Sequence, residues 1–442
     1  MAVGAATAAA LLGAVAVYSP KYAVYALFAA AFVCLAITRL PLAVAVFVLL
    51  TFPAHLPGTL GAGQTLAKPV GALIALAWCG AVLTRRGNLP LLPRERPVLF
   101  SAVVALLLFG AVSVLWAPDS SQTQYVLERL FQVAALLVVT YSAASTRAGL
   151  RTLVYSYLFA SAATSLYTVT SGSYNSLSGR LAGVIEPDYF ASELIPAIVI
   201  ACLLFVTVSS SRGRWLCAAV VIADVPAFVQ TQSRGAIVGL VIGLVAAVAF
   251  AGRARPRMLA LVCVLLAGGL SYYLAYKPAH VFQTSSRGGL SATSSGRLDE
   301  WRVALHIFEG HPIGGVGLGN YQTVEPSYAT QIFDLNFVTY IVNDRLVAHN
   351  TYLQIAAELG VVGLTLFLAI LVLPLRLAGR ALAGLARRAD NLEFHVRGLV
   401  AGVVGLIFAY FFLTAQVEKP LWFLLALLAS APALLRDCDQ TR

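Results

Sequence analysis

The stretch "VAHNTYLQIAAELGVVGLTLFLAILVLPLR", residues 347–376, places a histidine and an asparagine directly ahead of a long apolar run. Between Asn350 and Leu375 the only charged residue is Glu358. As a helix, 350–376 is about 40 Å long at about 1.5 Å per residue, more than the ~30 Å hydrocarbon core of a bilayer. The run therefore reads as a membrane span, with a polar His-Asn pair at its mouth.

Outward from it, the same pattern covers most of the chain. Apolar segments lie near 2–17, 22–38, 40–53, 68–84, 98–116, 123–145, 150–170, 190–209, 215–231, 234–250, 258–276, 350–376, 397–415 and 419–435. Of the 442 residues 60% are hydrophobic and 11% charged, where a soluble protein carries about 25% charged residues. The composition excludes a soluble enzyme and predicts an all-α polytopic membrane protein. Since the first three segments are short and closely linked, the expected count is about 12 transmembrane helices (12–14). The chain divides into an N-terminal helix bundle over 1–276, a loop domain over 277–349, and C-terminal helices with a tail over 350–442.

Basic residues set the orientation. With this alternation of sides, nineteen of the thirty Lys and Arg residues fall on the side of the termini and eleven on the other. Lys/Arg excess in short loops marks the cytoplasm. Both termini are thus expected to be cytoplasmic, and the 277–349 loop to face outward. The same bias accounts for most of the net charge of +11, so it is no sign of a nucleic-acid partner. Of the six cysteines, Cys34, Cys79, Cys202, Cys217 and Cys263 lie in spans and Cys438 in the tail. None has zinc-ligand spacing, and no disulfide is expected.

A few outward residues depart from this lipid-solvent pattern. Arg180 stands in "SGRLAGVIEPDYFA", just before a span. Arg234, in "TQSRGAIVGL", must lie at the outer interface, because the spans on either side are joined by almost nothing. An arginine there costs a few kcal/mol unless it is paired or reaches water. Arg297, in "SSGRLDEWRVALHIFEGHPIGGVGLGN", heads a short amphipathic helix over 297–309. Trp301, Leu305 and Phe308 fall on one face and read as its buried stripe, with Arg297 one turn ahead. The glycines at 314, 315, 317 and 319 read as a close-packed turn back to the membrane, since neither a P-loop nor a Rossmann context surrounds them.

His349 completes the set. Extended as a helix from residue 349, Ala356, Gly360 and Gly363 lie below the histidine as a stripe of small residues, with Glu358 on the opposite face. A neutral imidazole accepts a proton near neutral pH. Arginines clamp phosphate. One base and several arginines at a membrane face point to a diphosphate-linked lipid substrate, with a hydroxyl attacking and diphosphate leaving.

The same residues carry a family resemblance. "HNTYLQIAAELGVVG" fits the signature His-Asn, nine residues, Gly-x-x-Gly through His349, Asn350, Gly360 and Gly363, and the three arginine blocks precede it in order. The chain resembles the O-antigen ligases of the wider O-antigen ligase/polymerase superfamily, over roughly residues 178–365. The resemblance implies a bacterial inner-membrane enzyme with its loop domain and active site on the periplasmic side. Its donor would be undecaprenyl-diphosphate-linked O-antigen and its acceptor lipid A-core. The reaction would invert the anomeric carbon and require no metal, nucleotide or other cofactor. His349 carries over as the base, Arg234 and Arg297 as diphosphate contacts, and Arg180 less directly. Asn350 and Trp301 join them as expected substrate contacts. Where relatives often read Asn-Pro-Asn, this chain has "EPDYF", which leaves Glu186 and Asp188 without a role.

Three rivals stay open. An O-antigen polymerase often carries Arg-x10-Gly motifs, but no glycine stands eleven residues after Arg180, Arg234, Arg287 or Arg297. A protein O-oligosaccharyltransferase is usually longer. A lipid-linked glycan transporter needs charge at the midplane, and Asp224 is the one acidic residue that the segment map puts deep in a span.

Overall fold

The computed structural model of the protein describes residues 20–51, 61–84, 89–172, 180–181, 186–276, 294–335, 338–344, 346–388 and 390–440. The expected span at 2–17, and Arg287 with the rest of 277–293, lie outside these residues. The described residues of every other expected apolar segment are mostly helical. Among the described residues eight helices are long and apolar enough to cross a membrane, from Pro97–Leu115 to Lys419–Arg436, and four more are apolar but shorter. The chain is an all-helical, multi-span membrane protein.

In order the helices are α1 (Pro20–Thr38), α2 (Leu40–Thr51), α3 (Gly61–Thr84), α4 (Pro97–Val112), α5 (Ser120–Ala144), α6 (Arg147–Ser171), α7 (Pro187–Thr207), α8 (Ser211–Thr231), α9 (Arg234–Phe250) and α10 (Arg255–Tyr276). Three short helices follow, α11 (Ser294–Gly310), α12 (Tyr321–Ala329) and α13 (Val338–Asp344). The long α14 (Thr351–Arg387), α15 (Glu393–Ala409), α16 (Lys419–Ser430) and α17 (Ala433–Gln440) close the chain. The polar turns between spans supply the caps. Asp119 accepts from the N–H groups of Ser121 and Gln122 at the start of α5, and Ser233 from that of Ala236 at the start of α9.

The bundle centres on α7, which is buried along almost its whole length. It packs against α9 and α15 through glycines. A Cβ built on Gly239 of α9 would lie 2.6 Å from the Gly405 carbonyl of α15, and one on Gly402 would lie 2.9 Å from Pro196 Cα of α7. In lipid, where apolar side chains gain little by leaving their solvent, such close backbone approach is a main source of helix association.

The opening stretch folds differently from its reading as one continuous helix. α14 breaks at Gly360, whose φ of 63° and ψ of −164° are not helical. The backbone groups freed there pair with the glycine turn. Val316 N–H donates to Ala357 O at 3.0 Å, Gly317 N–H to Glu358 O at 2.8 Å, and Val361 N–H to Pro312 O at 2.8 Å. Gly319 N–H donates to the Glu358 carboxylate at 2.9 Å. A broken helix at membrane depth is tolerated where protein covers it and satisfies its backbone. Only glycine fits at the seam, because a Cβ on Gly360 would lie 2.1 Å from Ile313 O and one on Gly315 would lie 2.2 Å from Glu358 C. The stripe of Ala356, Gly360 and Gly363 below His349 is therefore not one helical face. Glu358 and Glu193 are also buried within spans, so Asp224 is not the single deep acid of the segment map.

A second, smaller core joins the short helices to the top of α14. It is built from Val303, Ala304, Ile307, Val316, Tyr321, Ala329, Ile341, Ala348 and Ala357. This core corrects the register of α11. Its buried face carries Glu300, Val303, Ala304 and Ile307, whereas Leu298 is 55% and Leu305 44% exposed. The bulky set of Trp301, Leu305 and Phe308, which reads from sequence as the buried stripe, lies to one side of that face.

Candidate active site

Proline at 187 fixes the start of α7 and places Asp188 in its first turn, where the helix dipole favours an anion. The buried Asp188 carboxylate is the hub of the site. Oδ1 accepts from Arg180 Nη2 at 2.6 Å, and Oδ2 from Arg297 Nη2 at 3.1 Å. The Ser233 hydroxyl bonds to the same carboxylate. Arg180 also donates from Nε to the Thr231 carbonyl at 2.6 Å, and Leu181 N–H donates to Gln230 O at 3.0 Å. Three blocks, around 180–188, 230–234 and 297, thus converge on one carboxylate.

Both guanidiniums keep an accessible edge, each side chain being 18% exposed. Arg234 is exposed at the first position of α9, next to Ser233. The following glycine packs on Phe412, whose ring centroid is 6.1 Å from that of Trp301. Trp301 lies against this wall, with a buried indole N–H that has no hydrogen-bond partner.

His349 precedes α14 rather than beginning it. Its φ of 45° is in the left-handed region, an uncommon conformation for a side-chain-bearing residue. Asn350 is the N-cap, its carboxamide oxygen accepting from Tyr352 N–H at 3.0 Å and Leu353 N–H at 3.1 Å. That cap presents the imidazole beside the arginine cluster instead of along the span. Nε2 stands 4.0 Å from a Glu300 carboxylate oxygen, and Nδ1 is buried without a partner. Burial, and then the Arg297 charge, lower the imidazole from its ordinary range to about 4, with Asp188 acting against them. At neutral pH His349 is thus an uncharged base.

Two acids on the far side behave oppositely. Glu300 is fully buried, and neither of its carboxyl oxygens has a hydrogen-bond partner. Burial raises it to about 8 against the pull of Arg297, with Glu325, Glu186 and Asp299 adding to the rise. Burial also raises Glu325 to about 8, the Leu346 backbone opposing. Neutral acids therefore back a neutral base.

Of the residues read from the sequence, Arg180, Arg297 and His349 come together, Arg234 stands at the edge, and Asn350 serves as a helix cap. Asp188, Ser233, Glu300 and Glu325 carry no role in the sequence reading. Glu300 had a legible signal, since it lies three residues after Arg297, on the same side of a helix. Asp188 had one too, as the first-turn acid after a proline.

Residues 219–368 match the family model described as O-antigen ligase, which takes in Arg234, Arg297, the glycine turn, His349 and the break at Gly360. The likeness to O-antigen ligases therefore lies in these residues, about a third of the chain. The chain is also 22% identical over 283 residues to the exopolysaccharide production protein ExoQ of Rhizobium meliloti (strain 1021), a match covering 61% of this chain. The matched region spans 63% of ExoQ, less than two thirds of that protein. Arg180 and Asp188 lie outside the family match, yet they meet Arg297 within it.

Proposed function

We propose that this protein is a glycosyltransferase that ligates O-antigen from undecaprenyl diphosphate onto lipid A-core at the periplasmic face of a bacterial inner membrane. The observation that supports this reading is the meeting of Arg180 and Arg297 on Asp188 beside a buried, uncharged His349. Arg297, Arg180 and Arg234 bind the donor diphosphate, and Asp188 holds the first two in register. His349 takes the proton from an acceptor hydroxyl as its oxygen bonds to the anomeric carbon. The bond from that carbon to the diphosphate breaks, and lipid diphosphate leaves with the electron pair. One direct displacement inverts the anomeric centre.

The ExoQ match favours a second reading in the same chemistry. In it the acceptor is another lipid-linked glycan and the product a longer polysaccharide. Reconstitution with a purified undecaprenyl-diphosphate glycan separates the readings. Core lipopolysaccharide, a second lipid-linked glycan and a pilin are offered as acceptors. Ligation predicts product on the core alone. Product on the lipid-linked glycan makes the protein a polymerase, and product on pilin a protein glycosylating enzyme. No transfer to any of the three overturns both readings.

A further inference from the structure

Asp224 of α8 is fully buried within a membrane-spanning segment, away from the arginine cluster. The helix packed against it, α6, is inside-out by the standards of a helix in water. Phe159, Leu166 and Tyr167 are exposed, while Ser161, Thr164, Ser165 and Thr168, at i, i+3, i+4 and i+7, are buried. A hydroxyl face turned inward, away from lipid, needs polar company there.

That company is incomplete. Ser161 Oγ reaches Asp224 Oδ2 at 2.9 Å. Ser165 approaches the same carboxyl without the alignment of a hydrogen bond. Asp224 Oδ1, Ser165 Oγ and Thr164 Oγ1 are all buried and have no hydrogen-bond partner. Each such atom is destabilising if it stays unsatisfied. Among the described residues no basic side chain acts on Asp224.

We propose that Asp224 and the hydroxyls of Ser161, Thr164 and Ser165 form an intramembrane site for a small monovalent cation, sodium being the fitting size. The ligands are hard oxygens, which suit alkali rather than soft metals. One carboxylate neutralises one charge. A divalent ion would leave a net positive charge in a medium where charge is costly, and no acid, His or Cys cluster suited to one occurs among the described residues. Asp224 lies two turns, about 10 Å along the helix, before Thr231, whose carbonyl holds Arg180. The cation braces α6 and α8 beneath the arginine site. The inference is independent of which acceptor the enzyme uses.

The test uses the full chain in detergent at pH 8. Unfolding is followed by intrinsic fluorescence in lithium, sodium, potassium or choline chloride at equal ionic strength. Bound 22Na+ is counted by scintillation proximity. The expected result is a saturable rise in Tm of about 2–4 °C in sodium over choline, with one sodium bound per chain. Asp224→Asn loses both. Ser165→Ala, a milder change that decides the matter if Asp224→Asn does not fold, weakens sodium binding by about tenfold. Identical melting in all four salts with no bound 22Na+ in the wild type overturns the proposal. Asp224 is then a neutral acid donating to Ser161, whose own hydrogen turns to the Leu158 carbonyl 2.9 Å away. Undiminished sodium binding by Ser165→Ala overturns the assigned ligand set.

Discussion

At one end of the bundle Arg147 meets Asp390, Arg397 meets Glu393 and Arg436 meets Glu95. At the other end Arg180 and Arg297 share Asp188, and Arg234 stands beside the serine that bonds the same carboxylate. The first arrangement staples loops: Asp390 ties the α14–α15 turn to α6, and Glu95 ties the chain before α4 to α17. The second brings two arginines onto one buried acid and adds an uncharged base. Pairs of the first kind hold a fold together. Two guanidiniums that share one buried acid and keep an accessible edge are suited to an anionic ligand.

The sharpest way to break this comparison is to ask which end faces which compartment. An alkaline phosphatase reporter, active only outside the cytoplasm, should be active when fused within 320–340 and silent within 380–392. The reverse pattern would place His349 in the cytoplasm and end the proposed reaction.

Next in size is His349→Ala. Transfer should fall by about 10²–10⁴-fold, with donor still bound by the arginines. The wild-type kcat/KM, which reports the free enzyme, carries a sign test. Because burial and Arg297 lower His349 to about 4, the base stays neutral well below pH 6.5. The acid limb should therefore appear near pH 4, and a limb at 6.5 would mean that the imidazole is solvated.

Arg297→Ala should reduce turnover by about 10²–10³-fold, the cost of one preorganised charge-stabilising group. Arg297→Lys should recover part of it, since lysine keeps the charge but not the planar fork. Equal activity in the wild type and both variants would make the cluster structural.

Glu300→Gln tests the neutral acids behind the base. The folded protein holds Glu300 near 8 while the unfolded chain holds it at the ordinary 4.5. That raised value leaves stability intact below about pH 4.5 and removes about 1.4 kcal/mol per pH unit as pH climbs toward 8. Glutamine should thus raise Tm at pH 8 and leave it nearly unchanged at pH 4.5. A Tm gain of equal size at both pH values would show that Glu300 is not held neutral by burial.

The smallest effect should come from the stapled end. Arg147→Ala strands the buried Asp390, costing about 1–3 kcal/mol, visible as a lower Tm. Turnover per folded molecule should not change. A large loss of kcat would erase the distinction between the two ends.

The sequence alone determined the solvent of this protein and singled out the candidate groups of its site. Apolar runs must enter lipid whatever their neighbours, so the helical, multi-span architecture was legible from composition and run length. His349, Arg180 and Arg297 stood out because charge and imidazole are rare in such a chain. What the tertiary structure decided depends on partners distant in sequence. The break at Gly360 was invisible in an apolar run, because it exists only where the turn at 312–319 supplies the lost backbone bonds. The buried face of α11 was set by the partners of Val303, Ala304 and Ile307 in the second core, and not by the bulk of Trp301, Leu305 and Phe308. Asp188 acquired its place only when two arginines 117 residues apart closed on it, and His349 became a neutral base only because burial strips its water. Hydropathy is a property of each residue in turn. Burial, pairing and proton affinity belong to the assembled site.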